Sequence, residues 1–484
     1  MTDREGELPQ LDCTVVIPVY NRGEALAAGS ESLRGQSIGI DHFEVIYVDD
    51  GSNDGYTPAL IDDVVAATPN ARVFHEPPSG SPGRPRNVGL AHARGEFVFF
   101  SDHDDWFDPR ALERLVGWAR QHDSDVVIGK VVGHGRRTQI PRVFKASRAS
   151  MPAAEAMISL TPHKLFRRAF LEEHAIRFPE GKRRLEDHHF VTHAYLHAHT
   201  ISVYADHVCY HHNDPGTDEN FSQTRSDPAL YIDSNVAVIE LIRRHTEHDL
   251  ALRDAMLVRP VLHELIKKAA PGGLRQIDDA GEAAKHRAIR TALREHVPSE
   301  VIDRLGAFPR ATANAVLRDD PAAVVQIAET AADVALVGEL VDLSTDDTQL
   351  LIDFRATVVA GDGAPQDSER PVITDLEALV ISRDSSVQWH LATTHVVGDR
   401  VVIGRSALDL GGIRKDRIDS GIWDVVLRAE VLGLGRRTRL SVPAGGSDLA
   451  GRQLTQRDSE LRAETFVTER RGTLAIRVTP ARVT

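Results

Sequence analysis

Three aspartates and a histidine stand together in the segment DHDD, from Asp102 to Asp105, directly after the apolar run FVFF. Neighbouring carboxylates beside a buried strand repel one another unless a cation or hydrogen-bond donors offset their charge. A hard divalent ion such as Mg²⁺ or Mn²⁺ binds carboxylate oxygens and keeps coordination positions open for phosphate. The segment therefore predicts a divalent-metal site. The alternative is an Asp-rich turn before Pro109.

A second carboxylate pair, Glu186 and Asp187, follows in the segment RRLEDHHF. A positioned carboxylate can take the proton of an attacking hydroxyl group, and such a base raises the rate by a factor of about 100 to 10,000. The other interpretation is structural, because acidic residues cap the start of a helix. The place of the pair after the aspartate cluster favours the catalytic interpretation.

Many of the 23 histidines of the chain crowd between His188 and His212. We expect most of them to be surface or hydrogen-bonded residues, since a single histidine is more often structural than a ligand. A histidine zinc site is the competing interpretation, although the spacing fits no His-Glu-x-x-His motif.

The elements that must position these residues are short buried strands. Continuous Val, Ile and Phe runs alternate with helical patterns from Thr14 to Phe100, which is typical of parallel strands in an α/β fold. The segments TVVIPVYNR, VIYVDDGSNDG and FVFFSDHDD end in polar residues, and open parallel sheets bind ligands beyond the carboxyl ends of their strands. We therefore expect these ends to line one crevice. Read alone, DDGS is equally a turn before a helix. No P-loop or Gly-x-Gly-x-x-Gly follows the first strand, which disfavours those nucleotide folds.

The rest of the chain changes its hydrophobic period twice. Asp227 and Pro228 supply a helix start, and apolar residues then recur at helical spacing to about residue 338. After that, short segments alternate apolar and polar residues, which predicts a β-sandwich. We therefore predict an α/β domain at 1–225, a helical segment at 226–338 and a C-terminal β-sandwich domain at 339–484.

The composition, with 42% hydrophobic and 26% charged residues, is that of an ordinary globular protein. The formal charge of -14 argues against general binding of nucleic acid or of an anionic membrane. The polar N-terminus lacks the features of a signal peptide, and no apolar run is long enough to span a bilayer. Two cysteines are too few for a disulfide framework. We expect a cytoplasmic protein with no integral membrane segment and no nucleic-acid partner.

Four motifs, PVYNR, VDDGSNDG, GSPGRPRNVGLAHARGEFVFFSDHDD and LEDHHF, occur in an order that resembles the inverting family 2 glycosyltransferases of the Rossmann-like GT-A fold. The resemblance covers about residues 10–215. Carried over by position, it implies that a nucleotide-sugar is bound by Pro18, Tyr20, Asp49, Asp50, Arg84, Arg86, Asn87 and Asp102.

The same resemblance implies the chemistry of the acidic residues. Asp187 takes the position of the catalytic base, with Glu186 beside it, and Asp104 takes the position that holds Mn²⁺ or Mg²⁺ on the diphosphate. The segment YHHN matches the place where related enzymes return a residue to the metal or diphosphate, which makes His211 a candidate ligand, with His212 behind it. His103 departs from the small or acidic residue usual in the family.

Within that family, the loop SGSPGRPRNVG looks most like the bacterial wall teichoic acid glycosyltransferases that act on poly(ribitol phosphate). The resemblance implies a UDP-sugar donor, an acceptor reached at the inner membrane face, and oligomerisation through the C-terminal domain, commonly as a trimer. A polyanionic acceptor needs a basic path, unless the basic residues are simply solvated surface charge. The candidates are Arg136, Arg137, Arg142, Lys145, Arg148, Lys164, Arg167, Arg168, Lys182, Arg183 and Arg184.

The sequence thus predicts metal-dependent transfer of a hexose or N-acetylhexosamine from a UDP-sugar to a cell-wall polymer such as a teichoic acid. One alternative is a non-catalytic glycan-binding or assembly protein with a degenerate transferase domain. Another is a nucleotidyltransferase, which shares the layout but lacks its expected Gly-rich, basic N-terminal loop here. Trp423, in the segment DSGIWD, is expected to be a core residue rather than a sugar-stacking residue.

Overall fold

The structure is a computed structural model. It describes residues 11–134, 142–213, 227–274, 277–345, 349–360, 372–383, 387–397, 400–409, 421–443, 453–455 and 461–480. The chain divides into two compact units, one made of Met1–Glu264 with Leu274–Pro298, the other of Leu265–Gly273 with Ser299–Thr484.

The first unit contains a mixed eight-stranded sheet in the order β3-β2-β1-β4-β7-β6-β8-β5. The pairs β1–β2, β1–β4 and β2–β3 are parallel, as the buried apolar runs predict, whereas β7 runs antiparallel to both β4 and β6. The strands are β1 Cys13–Val19, β2 Phe43–Asp49, β3 Ala71–His75, β4 Phe97–Phe100, β5 Trp106–Phe107, β6 Val126–Gly133, β7 Leu165–Arg167 and β8 Ile201–His212.

Short helices cover this sheet. The α/β part contains α1 Leu26–Arg34, α2 Thr57–Ala66, α3 Gly83–Ala91, α4 Ala111–Gln121, α5 Ala153–Ala156, α6 Arg168–Glu173 and α7 Glu186–His197. Gly89 lets α3 lie directly on the sheet, since a Cβ atom there would come 2.2 Å from Val16 Cγ1. Leu185 precedes α7 in the left-handed region at φ 56°, so the chain turns sharply just before Glu186.

The predicted helix start after the α/β part is confirmed, because the Asp227 side chain accepts a hydrogen bond from Ala229 N and Pro228 is in the first turn. The helices are α8 Pro228–His245, α9 Leu250–Pro260, α10 Lys267–Ala269, α11 Asp279–His296, α12 Ser299–Asp303, α13 Ala307–Leu317 and α14 Pro321–Ala332, with a π-helical turn at Val261–Ile266 after α9.

The helical pattern ends earlier than the spacing predicts. Helix α14 stops at Ala332, and a strand begins at Ala335 rather than after residue 338. Leu336, Gly338 and Leu340 are buried, whereas Val337 is exposed and Glu339 is half-buried, and this period of two indicates a strand.

The C-terminal region is β-rich. Its strands pair mostly antiparallel, in the path β13-β14-β10-β9-β16-β15-β19-β18-β17, with β11 on β15 and β12 on β11. Trp423 is buried in the common core, as predicted. The strands are β9 Ala335–Thr345, β10 Gln349–Val359, β11 Ile373–Ser382, β12 Gln388–His390, β13 Ala392–Val397, β14 Val401–Asp409, β15 Gly421–Val431, β16 Leu434–Ser441, β17 Gln453–Thr455, β18 Leu461–Val467 and β19 Leu474–Pro480.

The limits of the three predicted domains, and oligomerisation through the last of them, stay predictions. The predicted helical segment is shared between the two compact units, because α8, α9 and α11 belong to the first and α12, α13 and α14 to the second. Within the described ranges, no helix is long and apolar enough to cross a bilayer.

Candidate active site

The acidic loop, residues Asp102 to Asp105, follows β4. It is held in place by Arg86, His163 and Tyr210. Asp102 Oδ1 accepts a hydrogen bond from Arg86 Nη2 at 2.9 Å, and its Oδ2 lies 3.1 Å from Nε2 of the buried His163. Tyr210 OH accepts a hydrogen bond from Asp102 N at 3.0 Å. Loss of solvent alone would raise the pKa of Asp102, but His163 and Arg86 hold it well below its usual range. Asp102 is therefore an anion at neutral pH.

Asp105 is the least solvated carboxylate of the loop. Its Oδ1 accepts a hydrogen bond from Asn213 N at 2.7 Å. Its buried Oδ2 has no hydrogen-bond partner among the described residues and lies 3.9 Å from Nε2 of His163. Burial, with the charges of Asp102 and Asp104, raises the pKa of Asp105 well above its usual range. Asp102, Asp105 and His212 each direct a ligand atom into one space, with all three atoms within 4.8 Å of one another. An orphaned carboxylate oxygen in such a space fits a divalent cation.

Asp104 and His211, the two metal ligands that the sequence analysis predicts, are not members of this group. Asp104 is outside the group of three ligand atoms, and burial raises its pKa. The ring of His211 stacks on Trp106 at 5.2 Å, and its Nδ1 lies 3.0 Å from His134 Nε2. Burial and His134 lower the pKa of His211 to about 4. Along β8, successive side chains point to opposite faces, so His212 rather than His211 joins the acidic loop.

Arg86 connects the acidic loop to the carboxylate pair on α7. Its Nη1 donates to Glu186 Oε1 at 3.1 Å while Nη2 donates to Asp102, and the guanidinium lies over the Phe178 ring at 5.3 Å. The arginine is almost fully buried. Burial and the charge of Asp187 raise the pKa of Glu186 to about 7. The structure thus brings together Arg86, Asp102 and Glu186 from three separate motifs.

Asp187 is in the first turn of α7 beside a buried lysine. Its Oδ1 accepts a hydrogen bond from His188 N at 2.8 Å, and the side chain is half-buried. Lys164 is buried with its ammonium group on Thr161 O. Burial lowers the pKa of Lys164 to about 7, although the charge of Asp187 acts in the opposite direction. Asp187 therefore has a cationic or neutral neighbour at neutral pH, depending on the proton of Lys164.

Four of the residues that are predicted to bind the nucleotide-sugar belong to β1, the loop after it, and α3. Pro18 is in β1, Tyr20 is exposed just after it, and Arg84 pairs with Glu76 at 2.7 Å. Asn87 exchanges hydrogen bonds with the backbone of Phe178 and donates to Glu180 Oε1 at 2.9 Å.

The aspartates after β2 are held by neighbouring loops. Asp49 accepts from Ser52 N at 2.9 Å and contacts His75 Nδ1 at 2.9 Å, whereas Asp50 accepts from both N and Oγ of Ser79. Burial raises the pKa of Asp50. Their carboxylates therefore organise the loops at the sheet edge.

The helical segment adds residues to this region that no motif indicates. Glu264 lies in the π-helical turn and accepts hydrogen bonds from Tyr231 OH at 2.5 Å and Arg259 Nη1 at 2.6 Å. Its Oε1 is 3.9 Å from Nδ1 of His188, the residue after Asp187. Burial would raise the pKa of Glu264, but His188 and Arg259 lower it to about 2. An anion fixed beside α7 thus supports the turn that carries Asp187.

Comparison with protein families identifies two segments of the chain. Residues 14–178 match the family described as glycosyl transferase family 2. This stretch is a family 2 glycosyltransferase domain. Residues 228–328 match a second family, the glycosyl transferase TarS linker domain, which covers α8 to α13.

Curated relatives of the glycosyltransferase domain act on teichoic acids by their names. The poly(ribitol-phosphate) beta-glucosyltransferase of Bacillus spizizenii is 33% identical over 41% of this chain and 32% of its own length. The poly(ribitol-phosphate) beta-N-acetylglucosaminyltransferase TarS of Staphylococcus aureus (strain Mu50) is 35% identical over 41% of this chain and 35% of its own. The chain thus spans about a third of the length of these relatives. The resemblance stated from the motifs is confirmed.

Solved structures confirm the fold. The crystal structure of S. aureus TarS matches with a TM-score of 0.58 at 20% identity, over 98% of this chain and 86% of that chain. TarS 1-349 in complex with UDP-GlcNAc matches with a TM-score of 0.58 at 24% identity, over 73% of this chain and 98% of that chain. The GT-A-like α/β domain, helical linker and β-rich region therefore occur together in a known structure.

Three residues near the acidic loop have a place in the site that the sequence analysis does not predict. Asp105 is in the quoted DHDD segment, but its type and spacing do not separate it from Asp104. His163 and Lys164, in TPHKLF, are a histidine and a lysine before a short strand, with no motif around them. Only their burial beside Asp102 and Asp187 distinguishes them.

Proposed function

We propose that this chain is an inverting glycosyltransferase that moves a hexose or N-acetylhexosamine from a UDP-sugar to a polyol phosphate polymer such as a wall teichoic acid. The observation that carries the proposal is the link made by Arg86 between Asp102 of the acidic loop and Glu186 of the carboxylate pair. This link joins the acidic loop to the first turn of α7, which also carries Asp187. The relatives named above support a glucosyl or N-acetylglucosaminyl donor and a poly(ribitol phosphate) acceptor.

The residues of the acidic loop fit a divalent cation, and we propose Asp102, Asp105 and His212 as its ligands in place of Asp104 and His211. Carboxylates suit Mg²⁺ and Mn²⁺, and the orphaned oxygen of Asp105 supplies the unsatisfied ligand. When bound, the ion would offset the negative charge that grows on the departing UDP. It would also keep Asp105 ionised, because a cation lowers the pKa of the carboxylate that binds it.

Asp187 is proposed to accept the proton of the acceptor hydroxyl as that oxygen attacks the anomeric carbon. Glu186 is proposed as a positioning residue. With a pKa of about 7 it carries a proton much of the time near neutrality, which limits its repulsion of Asp187. Arg86 holds Glu186 and Asp102 at fixed places, so the base and the donor-side loop keep their relative geometry.

Fewer basic side chains are available to bind the acceptor than the sequence analysis predicts. Arg148 pairs with Glu155, Arg167 with Glu96, and Arg168 with Glu172, and Lys164 is buried. Lys182 and Arg183 are exposed just before α7. These two side chains are proposed to attract the phosphates of the acceptor, close to Asp187 along the chain. Arg136 and Arg137 lie outside the described residues.

The test is release of UDP from UDP-glucose or UDP-GlcNAc, with poly(ribitol phosphate) and Mn²⁺ or Mg²⁺. We expect Asp187→Asn to lower kcat by a factor of about 100 to 10,000, because the amide cannot take the proton, while affinity for UDP-sugar stays within about twofold. Asp105→Asn should instead raise the concentration of Mn²⁺ or Mg²⁺ that is needed for half-maximal activity.

The matched control is Asp123→Asn, a change at an exposed carboxylate next to α4, which should leave the rate unchanged. Full activity in Asp187→Asn would remove this residue from the proposed role. Binding of the polymer without any UDP release would favour the non-catalytic glycan-binding alternative. Release of pyrophosphate from UTP and a sugar phosphate would favour the nucleotidyltransferase.

A further inference from the structure

A second group of metal-ligating side chains lies outside the acidic loop. His193 and His197 of α7 and His245, the last residue of α8, each direct a ring nitrogen into one space, with the three nitrogens within 4.8 Å of one another. The three ring centroids are 5.0 to 5.4 Å apart, and the ring planes are inclined by 59° to 83°. We call this group the histidine triad. Its rings converge on a point instead of stacking in parallel.

The helices place these rings by simple geometry. Residues four apart are neighbours on one face of a helix, so His193 and His197 form a pair of ligands on α7. The C-terminus of α8 brings the third ring. A zinc ion with Zn–N distances of about 2.1 Å in a tetrahedral site needs nitrogens about 3.4 Å apart, a distance that small side-chain rotations reach from the observed spacing.

A hydrogen bond fixes the third ring in the form that a metal needs. His245 Nδ1 lies 2.9 Å from Leu241 O, and a carbonyl oxygen only accepts hydrogen bonds. Nδ1 therefore carries the proton, which leaves the lone pair of Nε2 for an ion. Metal-binding histidines in proteins are commonly oriented by such a bond from the other ring nitrogen to a carbonyl or carboxylate.

His245 is exposed, so an ion can reach the triad from solvent.

We propose that His193, His197 and His245 bind a transition-metal ion, Zn²⁺ among the common ones, with water as the fourth ligand. Three imidazoles suit Zn²⁺ and Ni²⁺ and are poor ligands for Mg²⁺, so this site differs in kind from the acidic loop. The ion would tie α7, which carries Glu186 and Asp187 in its first turn, to the end of α8. Its role is structural, and the proposal does not depend on the reaction proposed above.

The experiment is calorimetric titration of Zn²⁺ into the full chain without an affinity tag, after chelator treatment and with excess Mg²⁺ to occupy the acidic loop. We expect one equivalent of Zn²⁺ to bind. His245→Ala, a change at an exposed helix end, should weaken binding at least about 10- to 100-fold, as should His197→Ala. Co²⁺ in place of Zn²⁺ should give the intense visible absorption of a tetrahedral site, and the two variants should lose it.

The controls separate this site from the other one. His199→Ala removes an exposed histidine two residues beyond His197 and should leave the affinity unchanged. Asp105→Asn should also leave it unchanged. The proposal is overturned if the chain binds no Zn²⁺, if His245→Ala binds it as tightly as the parent, or if Asp105→Asn abolishes binding.

Discussion

Arg86 links the acidic loop to the carboxylate pair on α7. A single buried guanidinium donates to Asp102 and to Glu186, two carboxylates that stand 84 positions apart in the chain. Removal of one partner from such a buried ion pair typically costs about 3–5 kcal/mol, because the other charge is left unpaired. Arginine rather than lysine suits this position, since the planar guanidinium holds donors on separate nitrogens in a fixed geometry, one for each carboxylate.

At the residue scale, the buried Lys164 predicts a stability that changes with pH. Its folded pKa of about 7 is below the ordinary value of 10.5, so between these values the unfolded chain holds a proton that the folded chain has lost. Stability therefore rises with pH in that window, by about 2 kcal/mol from pH 7 to 9. We expect Lys164→Met to remove this rise, as measured by urea unfolding midpoints at the two pH values.

The control for this prediction is Lys145→Met, a change at an exposed lysine, which should keep the rise. An unchanged pH dependence in Lys164→Met would show that another group causes it.

At the element scale, the contact of α3 with β1 determines where Arg86 lies. A methyl group added at Gly89 would meet Val16 Cγ1 at 2.2 Å, so Gly89→Ala must push α3 away from the sheet. We expect a loss of about 1–3 kcal/mol in stability and a lower kcat, because Arg86 moves with the helix. Thermal unfolding and UDP release measure the two effects.

The matched control is Gly117→Ala in α4, where an added Cβ meets nothing within 4 Å. This change should leave activity intact and raise stability by up to about 1 kcal/mol, since alanine loses less backbone entropy in a helix. If Gly89→Ala and Gly117→Ala had the same stability and the same rate of UDP release, the proposed role of the α3–β1 contact would be wrong.

On the scale of the whole molecule, helix α7, which carries the proposed base Asp187, relies on the helical segment that follows it. Glu264, Arg259 and Tyr231 lie beside His188, and all belong to the same compact unit as the sheet. A chain ended at residue 225, our predicted domain limit, loses these contacts, whereas a chain ended at residue 298 keeps them.

We therefore expect the shorter chain to melt at least about 6 °C below the longer one, because α7 loses its packing against α8 and exposure of one or two large apolar side chains costs about 3 kcal/mol. Its affinity for UDP should fall as well. Differential scanning calorimetry and calorimetric titration of UDP make the comparison. Matching melting temperatures and affinities would support a self-sufficient domain at 1–225.

The sequence by itself determined the class of the fold and the family. Parallel buried strands leave continuous Val, Ile and Phe runs, and their polar ends mark the edge where ligands bind, so β1, β2 and β4 were predictable from local pattern. The four motifs also singled out Asp102, Glu186 and Asp187 as candidate site residues, because each motif is a short stretch of contiguous residues.

Only the tertiary structure decided which side chains face one another. The grouping of Asp105 and His212 with Asp102, the burial of His163 and Lys164, and the histidine triad all depend on strand faces and helix packing. These properties arise from contacts between residues far apart in the chain. Burial then sets the pKa and the partner of each group, and neither follows from residue type and spacing alone.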